Sequence, residues 1–242
     1  MLTERRTFHD CYPTQSVQTF EHKRLPPIQL RPGEERPIDE FANFVTHGIG
    51  FLLSVAGAVF MTSIAIALPD PLLSASAVVY CATLVSLYAA STLSHAFHDY
   101  RRRRYYRTLD QACIFLLIAG SYTPFAAAFL TDGWWPLLTI AMWGLALTGA
   151  YLVFRWGYLS AMAQRLYVVL GWLPAIGLPT IIASASPMAV TWIVVGGVLY
   201  TLGTLFLWQD HKVRYFHAVW HSFVIAASIC HFAAILSLLT LQ

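Results

Sequence analysis

Beyond residue 42 the chain all but runs out of charge. Residues 1–42 hold 6 of the 15 Lys and Arg and 7 of the 12 Asp and Glu, which leaves 9 basic and 5 acidic side chains for the last 200 residues. A soluble domain devotes about a quarter of its sequence to charged residues. Here the share is 11%, against 57% hydrophobic. Two hundred residues so poor in charge cannot solvate a globular surface, and a soluble enzyme, a disordered chain and a nucleic-acid binder are excluded together. The formal net charge of +3 says less about partners than the places where the charges sit. The composition reads as a multi-pass membrane protein whose natural partner is membrane lipid.

A helix needs about 20 apolar residues to cross the hydrocarbon core. Seven stretches reach that length, at about 43–68, 73–96, 109–130, 135–154, 164–185, 188–208 and 217–241. Breakers separate several of them: Pro69-Asp70-Pro71, Asp132-Gly133 and Ser186-Pro187. Strand alternation is absent, which argues against a β-barrel. Cys81, Cys113 and Cys230 lie inside apolar runs without CxxC spacing and read as small hydrophobes, not as a disulfide framework.

Basic residues in alternate loops orient such a chain. Six lie in the N-terminal tail. Arg101, Arg102, Arg103, Arg104 and Arg107 fall between spans two and three, Arg155 and Arg165 between four and five, and Lys212 and Arg214 between six and seven. The remaining loops and the C-terminus have none. With seven spans, all 15 share one side. The expectation is an all-α, seven-transmembrane helix bundle with the N-terminus cytoplasmic and the C-terminus outside, opposite to a G-protein-coupled receptor. The Arg101–Arg104 run reads as a topology anchor beside anionic lipid. Residues 1–36 form a polar, proline-bearing tail expected to be partly disordered, and the membrane domain takes 37–242, its first helix starting near Pro37.

Ionisable groups inside a bilayer are costly and usually functional. In this topology His47 opens span one, His95 closes span two, Asp110 opens span three, and His217 and His221 open span seven. All five lie at one membrane depth, and Asp110 is the only carboxylate within an expected span. His217 and His221 are spaced i, i+4, so both imidazoles leave one helix face and can chelate one Zn²⁺. Ser91 stands in the same relation to His95. Three histidines and an open fourth position make the catalytic zinc pattern, in which bound water is acidified to a pKa of ~7; Asp110 and Ser91 are placed to orient or deprotonate that water. Glu40, Asn43 and His47 share one helix face and could orient the ligand imidazoles from outside. His98 is a weaker ligand candidate, already in the aqueous loop. His231 lies about 15 Å beyond His221 along the helix and cannot join the same ion; a hydrogen bond to a neighbouring helix is expected for it. Pro124, Gly171, Pro174, Gly177 and Pro179 would kink spans three and five, leaving open whether a lateral entrance for an acyl chain results.

These motifs resemble the haemolysin III branch of the progestin and adipoQ receptor family, within the superfamily that includes the alkaline ceramidases. The matching pieces are Glu40-x2-Asn43-x3-His47, Ser91-x3-His95, Asp110 in LDQACIFLLIAGSYTPF, and HAVWHSFVIAASICHF with His217, His221 and His231. They span residues 40–235 in order. The resemblance implies zinc held by His95, His217 and His221, with Ser91 and Asp110 touching the metal-bound water, and a place in the bacterial inner membrane. Three functions follow as expectations: a zinc-dependent hydrolase of a lipid amide or ester, a sensor or receptor of membrane state with structural zinc, and the cytolytic activity after which the family is called. The last has the least support, because no apolar leader precedes residue 43.

Overall fold

A computed structural model describes residues 37–156 and 161–240. Eight α-helices and one 3₁₀ turn account for them, with no strand among the described residues: α1 (Pro37–Ala65), α2 (Pro71–Ala96), α3 (Tyr100–Phe129), α4 (Trp135–Trp156), α5 (Ala161–Trp172), the 3₁₀ turn Leu173–Gly177, α6 (Leu178–Ser184), α7 (Pro187–Leu207) and α8 (Phe216–Thr240). Seven segments are long and apolar enough to cross a membrane, α5, the 3₁₀ turn and α6 together forming the fifth. The N-terminal tail lies outside the described residues.

Local chemistry sets the helix starts. Asp70 caps α2, accepting from the backbone N–H of Leu72 at 2.8 Å and of Leu73 at 3.2 Å, with Pro71 in the first turn, where a missing N–H costs nothing. Ser186 and Pro187 repeat the device on α7. Gly133 adopts a φ of 60° in the turn between α3 and α4, a conformation that disfavours a Cβ. The charged segment after α2 departs from the sequence reading. Arg101–Arg107 is the first two turns of α3, not a loop, because Asp99 caps a helix there by accepting from Arg102 N at 3.0 Å.

α2 is packed between α1 and α3. α4 lies on α3, α7 on α8, and α8 returns to close against α1. Tyr80, Leu87, Phe115, Met142 and Ile235 fill the interior. Leu52, Val59, Ile66, Leu137, Ile140 and Val169 face outward. An apolar exterior around a packed interior is what a lipid-immersed bundle requires. This is a multi-pass membrane protein.

Candidate metal centre

α2 ends where α8 begins, so His95 in the last turn of α2 meets His217 and His221 in the first two turns of α8. Ring centroids are 5.3 Å apart for His95–His217, 5.2 Å for His95–His221 and 4.5 Å for His217–His221. One ring nitrogen from each lies within 4.8 Å of the other two, a cluster able to hold a metal ion. A tetrahedral ion with Zn–N near 2.0–2.1 Å sets such nitrogens roughly 3.3 Å apart, within reach of small side-chain rotations.

Hydrogen bonds decide which nitrogen each ring presents. His95 Nδ1 lies 2.8 Å from Glu40 Oε2, and His217 Nδ1 lies 2.9 Å from Asp210 Oδ2. A carboxylate only accepts, so each Nδ1 carries the proton and Nε2 the lone pair. His221 Nδ1 lies 3.2 Å from Thr46 Oγ1. The Thr46 hydroxyl has one hydrogen, directed to the carbonyls of Ala42 at 2.9 Å and Asn43 at 3.0 Å. It must therefore accept from His221, and this ring too is left with its lone pair on Nε2. All three imidazoles are held in the tautomer a ligand needs, by the outer-nitrogen contacts that characteristically fix metal-binding histidines. His95 Nε2 is buried without a partner, an acceptor that a bound cation would satisfy. Three neutral imidazoles suit Zn²⁺. The residues present fit the ion.

Glu40 is the hub on the α1 side. Besides His95 it receives Arg103 Nη2 at 2.6 Å and Arg107 Nη2 at 3.4 Å, both from the charged start of α3. Arg214 closes a parallel pair onto Asp39 at 3.2 Å. Asp110, partly buried on α3, has Ser91 beside it and lies within electrostatic range of His217 and Arg107. The Ser91 hydroxyl, fully buried, makes no well-formed hydrogen bond.

Of the three residues expected to orient the imidazoles, Glu40 alone hydrogen-bonds a cluster histidine through its side chain. The His47 ring stacks on His221 at 3.5 Å and 26°, with Tyr88 edge-on at 5.1 Å. Neither its nitrogens nor Asn43 Oδ1 has a hydrogen-bond partner. The positions beside His217 and His221 belong instead to Asp210 and Thr46, which the sequence reading had not singled out. Thr46 stands next to His47 and so off the Glu40-Asn43-His47 face, while Asp210 is in a loop where no helical period applies. His98 is exposed beyond the end of α2 and takes no part.

An apolar cavity of about 250 Å³ lies between α3, the broken fifth span, α7 and α8, and none of the three histidines lines it. Its wall includes Leu87, Ile114 and Val224, each about one turn along the helix from Ser91, Asp110 and His221. Tyr167 lines it too and is anchored by donating to the Gln111 carbonyl at 2.7 Å, alongside Asp110. Gly171 and Pro174, where the fifth span gives way to the 3₁₀ turn, complete that side.

The family profile described as "Haemolysin-III related" matches residues 36–232. The "Hemolysin-3 homolog" of Bacillus subtilis (strain 168) is 34% identical over 200 residues, covering 82% of this chain and 93% of that protein. "Hemolysin-3" of Bacillus cereus is 32% identical over 203 residues, covering 82% and 90%. The "Monocyte to macrophage differentiation factor" of Homo sapiens is 24% identical over 226 residues, covering 90% and 91%. No solved structure matches the chain.

Proposed function

This chain belongs to the haemolysin-III-related family, and we propose that it works there as a zinc-dependent membrane hydrolase cleaving an amide or ester bond of a lipid. The observation that carries the reading is the set of three imidazoles whose outer nitrogens are all engaged by oxygen acceptors, with the wall of an apolar cavity about one helical turn away. His95, His217 and His221 would hold the ion through Nε2, and Glu40, Asp210 and Thr46 would keep those atoms unprotonated. When bound in such a site, Zn²⁺ supplies Lewis acidity toward a carbonyl oxygen and acidifies water. Asp110 would hold a proton at a carboxyl oxygen and deliver it to the leaving amine or alkoxide, with the Ser91 hydroxyl steadying the carboxylate. The cavity wall would take the acyl chain and exclude water from it. The distribution of basic residues supports a cytoplasmic N-terminus, which sets the site at the inner face of a bacterial plasma membrane.

One observation favours a second reading, a sensor or receptor of membrane state with structural zinc. The three histidines come from α2 and α8, which pack chiefly against other helices, so an ion between them would act as a brace. Purified protein and its His95→Ala, His217→Ala and His221→Ala variants, assayed for zinc content and for turnover of a panel of lipid amides and esters, separate the two. The hydrolase reading expects zinc and turnover to be lost together. Zinc lost with turnover unchanged, or melting temperature lowered with no turnover ever seen in the wild type, would overturn it.

A further inference from the structure

The three cluster histidines differ in how far they are shut in. The His95 side chain is 3% exposed and His221 is 1% exposed, whereas the His217 side chain keeps 31% of its surface open. Among the described residues the way to the cluster from solution therefore runs past His217. The flank beside His95 is closed by charge as well: Arg103 and Arg107 both lie on Glu40 there, and guanidinium groups repel an approaching cation. Thr46 and the His47 ring cover His221 from α1.

Beside His217 stands a carboxylate that faces two imidazoles. Asp210 Oδ2 accepts from His217 Nδ1 at 2.9 Å, and its other oxygen, Oδ1, is 3.9 Å from His211 Nδ1. That second separation is too long for a hydrogen bond. Two ligand atoms on one tetrahedral Zn²⁺ stand roughly 3.3 Å apart, and the exposed His211 ring closes the difference by a small rotation. The α7–α8 loop lies outside both spans and is folded to hold the pair. The backbone N–H groups of Lys212 and Val213 donate to the Gln209 carbonyl at 2.9 and 3.2 Å, which makes Asp210 and His211 the central residues of a tight turn. Arg214, further along the loop, is held on Asp39, so exposed Lys212 is the charge of the turn that opposes a cation.

We propose that Asp210 and His211 form an entry site for Zn²⁺, which captures the ion from solution at the edge of the three-histidine cluster and passes it to His217. The proposal rests on the reading of that cluster as a metal centre. The donor set suits transit: one carboxylate oxygen and one imidazole hold a borderline ion without enclosing it, and water completes the coordination. Asp210 takes the ion through Oδ1 while Oδ2 keeps the proton of His217 on Nδ1, so the receiving nitrogen stays unprotonated as the ion arrives. A site that captures ions beside a buried cluster raises their local concentration and thus the rate of filling. It lies on the path and not in the end state, so it speeds filling and emptying by one factor and leaves the final affinity alone.

Zinc kinetics test this without reference to turnover. The full chain in detergent, stripped of metal, is mixed with Zn²⁺ in a stopped-flow instrument, and a fluorescent zinc indicator follows uptake. Emptying is read from the loaded protein against a competing chelator, at concentrations where the rate no longer depends on the chelator. His211→Ala should fill and empty about tenfold more slowly, the low end of what local ion concentration contributes to a rate, with equilibrium affinity unchanged. His211→Glu, which restores a metal-binding oxygen, should fill at least as fast as the wild type. His98→Ala, which removes an exposed imidazole beyond the end of α2, should change neither rate. Filling at the wild-type rate in His211→Ala overturns the entry site, as does a loss of affinity carried by faster emptying alone, which would make His211 a ligand of the final site. Equal slowing in His98→Ala overturns the assignment to the turn. A wild type that takes up no zinc would overturn the metal-centre reading and the entry site with it.

Discussion

Replacing Thr46 with Val tests whether the tautomers of the metal centre are set by hydrogen bonds. The change is nearly isosteric and removes one acceptor. Thr46 Oγ1 is 3.2 Å from His221 Nδ1, and His221 is only 1% exposed, so water cannot replace the lost oxygen. A buried donor left without its acceptor costs about 1–3 kcal/mol. The ring can escape that cost by moving its proton to Nε2, the atom that would face the ion, and binding must then reverse the shift. Either way the penalty falls on metal affinity. At 1.4 kcal/mol per tenfold the range corresponds to roughly 5- to 150-fold, matching the 10–100-fold typical of removing such an outer contact. The Asn43 carbonyl lies close to the same ring and is a substitute acceptor, which draws the expectation to the lower end, about tenfold. Zinc affinity measured in detergent against a competing chelator reads this directly. Thr46→Ser, which keeps the oxygen, should bind zinc as the wild type does. The reasoning is refuted if Thr46→Val binds zinc with unaltered affinity, or if Thr46→Ser is as weak as Thr46→Val.

Three further outcomes are expected. Asp110→Asn should retain zinc while lipid turnover falls by about 10²- to 10⁴-fold, the contribution of a positioned proton carrier; zinc lost in this variant would make Asp110 a ligand instead. Glu40→Gln should weaken zinc about 10–100-fold, since it removes the charge that His95, Arg103 and Arg107 share, whereas Arg101→Gln on the exposed side of α3 should not, by the same chelator titration. Gly196→Ala should lower the melting temperature by the equivalent of about 1–3 kcal/mol, because its Cβ meets the His231 ring. Gly197→Ala, with open space around it, should leave the melting temperature unchanged or raise it slightly.

What the sequence made legible follows from which physical signals are one-dimensional. The span count needs only length and apolarity, and all seven segments were readable, as was the start of α1 at Pro37. The N-terminal turns of α3 were not, because scarcity of charge defined the spans and Arg101–Arg107 is all charge and tyrosine; Asp99 and local propensity make a helix there regardless of hydropathy. Alternation of the spans placed His95, Asp110, His217 and His221 at one depth, and the folded chain brings these four together. Thr46 and Asp210 were beyond reach. Their relation to His221 and His217 comes from how α1 and the α7–α8 loop pack against α8, which no spacing within one segment encodes. His47 was visible as a polar intruder, but its face-to-face stacking on His221 depends on the crossing of α1 with α8.

The hydrolase and sensor readings share the same three histidines, and an ion bracing α2 to α8 would raise thermal stability under both. A chelation-induced drop in melting temperature cannot by itself choose between them. Asp110 can. The outer nitrogens of the ligand histidines are served by Glu40, Asp210 and Thr46, so the Asp110 carboxylate is not needed to orient them. It stands off the ligand set, beside Ser91, one turn from the cavity wall at Ile114 and against Tyr167, which is itself part of that wall. A carboxylate in an apolar span is expensive to keep, and a purely structural zinc site gives it nothing to do. A site that moves a proton between water and a leaving group, one turn from an apolar cavity, would use it. The balance therefore tips toward chemistry, and it would tip back if Asp110→Asn stabilised the zinc-loaded protein and left every function of the wild type intact.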